Sequence, residues 1–127
     1  MNCIFRFWLV AALLPAGCSY LPAQPNVLAR YNGHYTYGFE ISSFQPCQSS
    51  EKWWVADGAN QLLEHFRGSN VPQYLDTVYV ELTGRVTPAG NYGHLGAYRR
   101  ELSVENVVFM DVPRKDCVPT PTTTPNR

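Results

Sequence analysis

The residues best suited to chemistry in this 127-residue chain are two carboxylates and two adjacent tryptophans. Glu40 and Glu51 lie in a polar and aromatic segment, and such a pair can act as general acid and general base. The alternative is that both are ordinary solvated strand residues. Trp53 and Trp54 are neighbours, so on a strand they face opposite sides. One of them therefore belongs to the core, and the other packs at the rim or contacts a ligand.

The glycine-rich segment 90–96 is a second candidate contact surface because it carries Tyr92 and His94. Loops hold binding residues more often than the elements they connect. No helical pattern follows this segment, so it predicts a connection between two strands and not a phosphate-binding loop. The chain also lacks a Gly-x-Ser-x-Gly turn for a nucleophile, and no catalytic residue is assigned.

Histidine and cysteine positions bear on metals and on disulfides. His34, His65 and His94 are scattered along the chain, without the short spacing typical of zinc ligands, so we predict no metal and no other cofactor. Cys47 and Cys117 are two thiols of a chain whose N-terminal segment, described in the next paragraph, is typical of an exported protein. Thiols of exported proteins typically pair. We expect a disulfide between them; the alternative is two free, buried thiols.

The N-terminal segment is typical of a bacterial lipoprotein signal. Arg6 precedes an apolar run over residues 7–14, far shorter than the roughly 20 residues of a membrane-spanning helix. Small residues then lead into Cys18, which would be lipidated and become the first mature residue. We therefore expect residues 1–17 to be a signal peptide and the lipid to hold the protein in a membrane.

Two neighbouring residues qualify this localisation. Ser19 follows the cysteine, and by resemblance to enterobacterial lipoprotein sorting the absence of Asp there favours the outer membrane, with the domain facing the periplasm. Pro15 stands where lipoprotein signals usually have leucine. The alternative is ordinary cleavage near Ala23, which would release a soluble periplasmic protein.

Length and charge limit the remaining possibilities. Removal of the signal leaves 110 residues, enough for a single domain. Nine basic and ten acidic side chains remain, and no stretch of Lys and Arg forms a basic patch, so nucleic acid is not an expected partner. We expect residues 18–30 to be a tether, residues 31–117 to fold, and the Pro/Thr-rich residues 118–127 to stay disordered.

Alternation of apolar and polar residues predicts the strands. A strand over 34–41 places four side chains on one face: Tyr35, Tyr37, Phe39 and Ile41. A strand over 77–86 buries Val78, Val80, Leu82 and Val86, with Gly84 at a bend. A strand over 99–110 changes its inward register once, through one extra residue near Asn106, from Leu102 and Val104 to Val107 and Phe109. Residues 52–56 form a shorter strand, and the stretch 44–56 holds one strand or two.

One helix fits the segment between these strands. Asp57 is a suitable N-cap, and Gly68 a suitable stop. Its apolar stripe consists of Leu62, Leu63 and Phe66. Few elements and no regular alternation of helix with strand argue against a parallel α/β sheet. The sequence predicts a mainly β protein: a small, curved antiparallel barrel, similar to an OB-fold, with one short helix.

Four segments together resemble a group of small, uncharacterised bacterial envelope lipoproteins. They are Gly38-Phe39-Glu40-x-Ser42-x-Phe44-x-Pro46-Cys47, Glu51-x-Trp53-Trp54, Gly84-Arg85-Val86, and the run from Tyr92-Gly93-His94-Leu95-Gly96 to Leu102. The resemblance covers nearly the whole expected domain. It implies an envelope lipoprotein and brings no activity with it.

These observations lead to two functional hypotheses. The first is a lipid-anchored, non-catalytic binding or scaffold module that contacts an envelope protein, a peptide or a glycan through Glu40, Trp53 or Trp54, Tyr92 and His94. The alternative is a small periplasmic hydrolase or inhibitor-like domain that uses Glu40 and Glu51.

Overall fold

The computed structural model describes residues 24–56 and 58–117. Its elements, in chain order, are β1 (Ala29–Gly38), β2 (Ile41–Pro46), β3 (Trp53–Val55), α1 (Ala59–Arg67), β4 (Thr77–Val86) and β5 (Glu101–Asp111). Two short 3₁₀ turns, His94–Gly96 and Lys115–Cys117, lie before and after β5.

The five strands close into a barrel in the order β1-β2-β3-β5-β4. The long strand β1 pairs with β2 along one edge and with β4 along the other. All neighbours are antiparallel except β3 and β5, whose parallel pairing completes the barrel. A five-stranded barrel with a helix between β3 and β4 has the architecture of an OB-fold. The predicted fold is confirmed, with one parallel pair that the sequence analysis did not anticipate.

The core follows the alternation of β4 most closely. Val78, Val80 and Leu82 are completely buried, as predicted. Gly84 continues this inward row, and a Cβ there would lie 2.4 Å from the carbonyl oxygen of Ser103. Glycine at this position therefore lets β4 and β5 approach closely.

The prediction that Phe39 and Ile41 join the inward face of the first strand is wrong. That strand begins at Ala29 and ends at Gly38, and the chain then reverses through Phe39 and Glu40 into β2. Glu40 has φ 55°, a left-handed conformation that allows this tight turn. Phe39 is consequently 89% exposed and Ile41 44% exposed.

The inward register of β5 changes twice, not once. The residues without a partner on β4 are Glu105 and Val108, as the register shifts between the two strands show. The first bulge, next to Asn106, was predicted. The second reverses the pattern again, so Met110 is buried, whereas Phe109, predicted to face inward, is 40% exposed.

The helix α1 covers the barrel as its apolar stripe indicates. Leu62 and Phe66 are buried, and the Phe66 ring lies 5.3 Å from that of Tyr37 on β1. Gly68 follows the last helical residue, as predicted. The N-cap position is Gly58, with φ 87° and no side-chain cap; the predicted cap, Asp57, lies outside the described residues.

The two ends of the described chain are both attached to the barrel. A disulfide joins Cys47, directly after β2, to Cys117, which confirms the predicted pairing. Near the start, the backbone N–H of Asn26 donates to the carbonyl of Val86, so the ordered contacts begin before the expected boundary at residue 31. Cys18 and residues 118–127 lie outside the described residues. Within residues 24–56 and 58–117, no helix has the length and apolar character that a membrane crossing requires.

Candidate functional site

Two connections that are far apart in sequence meet at one edge of the barrel. They are the β1–β2 turn and the long β4–β5 loop, residues 87–100. His94 Nε2 lies 3.4 Å from Glu40 Oε2, and both side chains are about half exposed. Two of the predicted contact residues therefore touch each other, although no sequence pattern pairs them. We call the residues around this contact (Phe39, Glu40, Ile41, His94 and Leu95) the tip.

The tip exposes large apolar side chains. Phe39 next to Glu40 is 89% exposed, and Leu95 next to His94 is 90% exposed. A single exposed apolar residue is normal on a protein surface, but a group of them marks a candidate interaction site. Leu95 also has φ 56°, which is an outlier for a bulky side chain and typical of functional loops.

The β4–β5 loop is held by its own hydrogen bonds. Tyr92 and Tyr98 exchange backbone hydrogen bonds of 2.8 and 3.1 Å, and the Tyr92 hydroxyl donates to the carbonyl of Pro88. Gly90 N–H donates to the carbonyl of Arg99. Because these bonds close the loop on itself, they fix the base from which His94 and Leu95 project.

The loop lies over the outer face of β3. A Cβ on Gly93 would lie 2.5 Å from Cδ2 of Trp54, so the glycine backbone rests directly on the indole ring. The Tyr98 ring lies 5.4 Å from the same indole. In OB-folds this face, between the β1–β2 and β4–β5 loops, binds oligonucleotides or oligosaccharides. Here the protein's own loop covers it, and Trp54 is half-buried.

The other tryptophan belongs to the core. Trp53 is 2% exposed and packs between Tyr31, at 5.2 Å, and Phe44, at 5.8 Å. It is therefore not available to a ligand, and Trp54, on the opposite face of the strand, packs at the rim beneath Gly93 of the β4–β5 loop. This division follows from the strand parity of the two positions.

Glu51 has a positioning role at the start of β3. Its Oε1 accepts a hydrogen bond from Trp53 Nε1 at 2.8 Å, and Arg100 Nε lies 3.1 Å from the same oxygen. The carboxylate thereby connects the buried tryptophan to the end of the β4–β5 loop. Oxygen Oε1 of Glu51 is thus already bound by two groups of the protein itself, the Trp53 indole N–H and the Arg100 guanidinium.

The two carboxylates of the hydrolase hypothesis lie at opposite ends of β2. Glu40 directly precedes this strand, whereas Glu51 lies near its far end, because Trp53, two residues later, pairs with Phe44. The six residues of β2 extend about 16 Å, whereas catalytic carboxylate pairs in glycosidases are about 5–9.5 Å apart. This arrangement does not suit an acid–base pair across a single bond.

The three histidines have separate environments. His34 accepts a hydrogen bond at Nε2 from the backbone N–H of Arg114, His65 is exposed on α1, and His94 is in the tip. The part of the chain that the structure describes has no cluster of three or more His, Cys, Asp or Glu side chains that could hold a metal ion.

Sequence reasoning missed the two most exposed apolar residues of the tip. Phe39 continued the alternation of β1 and was assigned to the core. Leu95 was not singled out, although the glycines on both sides of it, Gly93 and Gly96, indicate a turn. Comparisons with protein-family models, with characterised proteins and with solved structures give no match.

Proposed function

We propose that this protein is a lipid-anchored, non-catalytic binding module of the bacterial envelope whose tip contacts a partner protein. The observation that carries the proposal is the exposure of Phe39 and Leu95, 89% and 90%, each next in sequence to one residue of the contacting pair Glu40 and His94. The turn and the loop that form this surface connect strands of a closed, disulfide-linked barrel.

The energetic argument is that burial of these two side chains can supply useful affinity. Complete burial of a Phe or Leu side chain is worth about 1.5–3 kcal/mol, so the pair offers about 3–6 kcal/mol. A tenfold change in affinity corresponds to about 1.4 kcal/mol. The tip is held by the hydrogen bonds of the β4–β5 loop and by the β1–β2 turn, so little ordering is needed on binding.

The shape of the tip favours a protein over a glycan. In OB-folds oligosaccharides bind the face that Trp54 occupies here, and Gly93 covers that indole. The tip presents protruding apolar side chains instead, and these fit into an apolar pocket on a folded partner. The Glu40 carboxylate and the His94 imidazole add polar contacts that fix the orientation of the partner.

The anchor in this proposal is the lipid on Cys18, with Ser19 directing the protein to the outer membrane. The expected tether leads into the Ala29 end of β1, and the tip lies at the other end of this strand. The ten residues of β1 extend about 30 Å along the strand. This separation supports a tip that a periplasmic partner can reach while the lipid holds the other end of the domain. The mass of the mature N-terminal peptide tests this part, because cleavage near Ala23 would leave it without lipid.

The experiment that tests the binding role compares two variants in cells. Phe39→Ser combined with Leu95→Ser removes the apolar surface of the tip, and Val108→Ser removes a 43% exposed apolar side chain at the β5 bulge. After chemical crosslinking, mass spectrometry should find a protein that is lost with the tip variant and retained with the control. Equal recovery from both variants would contradict the proposal.

The same experiment separates the hydrolase hypothesis. Glu40→Gln and Glu51→Gln variants that keep the partner and lose a measurable turnover on cell-wall or glycan substrates would favour the enzyme. Partner binding by a wild-type protein that shows no turnover would favour the binding module over the hydrolase.

A further inference from the structure

A cleft lies beside the disulfide, away from the tip. Its volume is about 270 Å³, and it is lined by Asn32, Gln48, Tyr79, Arg114 and Asp116 together with the two cysteines. Cys47 follows the last residue of β2, whereas the tip precedes the first, so the two sites lie at opposite ends of this strand. This volume is below the roughly 300–1,000 Å³ of sites for drug-sized ligands, so an occupant must be smaller than these.

Arg114 is fixed at the cleft by aromatic rings and by its backbone. Its Cζ lies 4.0 Å from the centroid of the Tyr79 ring and 5.5 Å from that of Phe109, a cation–π arrangement. Its backbone N–H donates to His34 Nε2 at 3.0 Å. The guanidinium donors lie in its plane and form a rigid fork that matches a carboxylate.

This fork is not saturated by the protein. It forms an ion pair with Asp111, whose Oδ2 lies 3.7 Å from Nη2, a distance too long for a hydrogen bond. Among residues 24–56 and 58–117, no side chain accepts a hydrogen bond from the Arg114 guanidinium. With respect to the described residues, these donors are available to an oxyanion in the cleft.

An acidic group lies in the same cleft. Asp116 forms no ion pair with a Lys, Arg or His side chain within the described part of the chain. Its neighbour His34 does not neutralise it, because burial lowers the pKa of His34 below its usual value of 6.5, so the imidazole is uncharged at pH 7. Gln48 holds the segment in place, since its Nε2 donates to the backbone carbonyl of Asp116 at 2.6 Å.

We propose that this cleft binds a small zwitterion, a free α-amino acid. Arg114 holds the carboxylate through its fork, and Asp116 holds the ammonium group. The side chains of Asn32 and Gln48 line the same cleft and supply further polar contacts. Opposite charges on one small cleft favour a ligand that carries both charges over a simple anion or cation.

The test titrates mature protein, labelled with ¹⁵N, with alanine, sodium acetate and methylammonium chloride. Alanine should shift the side-chain amide resonances of Asn32 and Gln48 in a saturable manner. Acetate and methylammonium should bind at least about 10-fold more weakly, the equivalent of about 1.4 kcal/mol, because each fills one half of the site. Equal binding of acetate and alanine, or no saturable shift with alanine, would overturn the proposal.

Variants assign the two roles. Arg114→Gln and Asp116→Asn should each weaken alanine binding at least about 10-fold. Arg85→Gln is the matched control, because Arg85 is also a surface arginine, but it pairs with Glu105 at 3.0 Å. A melting temperature recorded for each variant separates lost binding from lost folding. Unchanged affinity in a folded Arg114→Gln or Asp116→Asn variant would contradict the assignment.

Discussion

Removal of the disulfide should cost much of the stability of this domain. The bridge between Cys47 and Cys117 spans 70 residues and so joins β2 to the end of the described chain. In the chain-entropy model, closing a loop of that length stabilises the folded state by about 4 kcal/mol. Domains of this size have a total free energy of unfolding of about 5–15 kcal/mol. A Cys47→Ala/Cys117→Ala variant should therefore be folded only marginally.

The assay is urea denaturation of the mature protein, with and without the double substitution. The unfolding free energy should fall by about 4 kcal/mol, and the melting temperature by about 15–30 °C. Wild-type protein kept reduced is the control, because it loses the bridge without a change in sequence and should show the same loss. A loss below about 1 kcal/mol in both samples would refute the loop-closure reasoning.

Two further predictions concern Gly93 and His34. Gly93→Ala should destabilise the protein by about 1–3 kcal/mol and change the fluorescence of Trp54. The reason is that Gly93 has φ 68° and its new methyl group would meet the indole. The control is Gly38→Ala, where a Cβ meets nothing within 4 Å, and this variant should leave the stability and the fluorescence unchanged. Burial lowers the pKa of His34, so the unfolded chain takes up that proton first as pH falls below 6.5. The melting temperature should therefore decrease over this range, and a His34→Gln variant that does not reduce this decrease would contradict the assignment.

The regular parts of the fold were predictable because their sequence pattern has one interpretation. In β4, Val78, Val80 and Leu82 alternate with polar residues, and one face is buried on the barrel core. The same parity placed one tryptophan of the pair in the core. Gly68 marked the end of α1. In these segments the local pattern and the tertiary contacts agree.

The turn and the bulges were less predictable because local patterns continued through them. Phe39 and Ile41 extend the alternation of β1, and no glycine marks the left-handed residue, which is Glu40. The second bulge, at Val108, lies in a run of apolar residues that fits either register. In both places the partner strand decides the outcome, and a single segment does not contain that information.

The candidate site was found in part for the same reason. Glu40 and His94 were each selected from their local sequence, but their contact depends on how the β4–β5 loop crosses β3. That path is set by Gly93 on the Trp54 indole. The cation–π contact of Arg114 with Tyr79 likewise joins residues 35 positions apart, and no sequence pattern indicates it.

Site-specific photocrosslinking in cells is the most direct test of the proposed binding role. A photoreactive amino acid replaces Phe39, Leu95 or, as a control on another strand, Val108. We expect the same protein adduct from positions 39 and 95 and its absence from position 108. Adducts with lipid alone, equal labelling from all three positions, or no adduct from the tip would contradict the account.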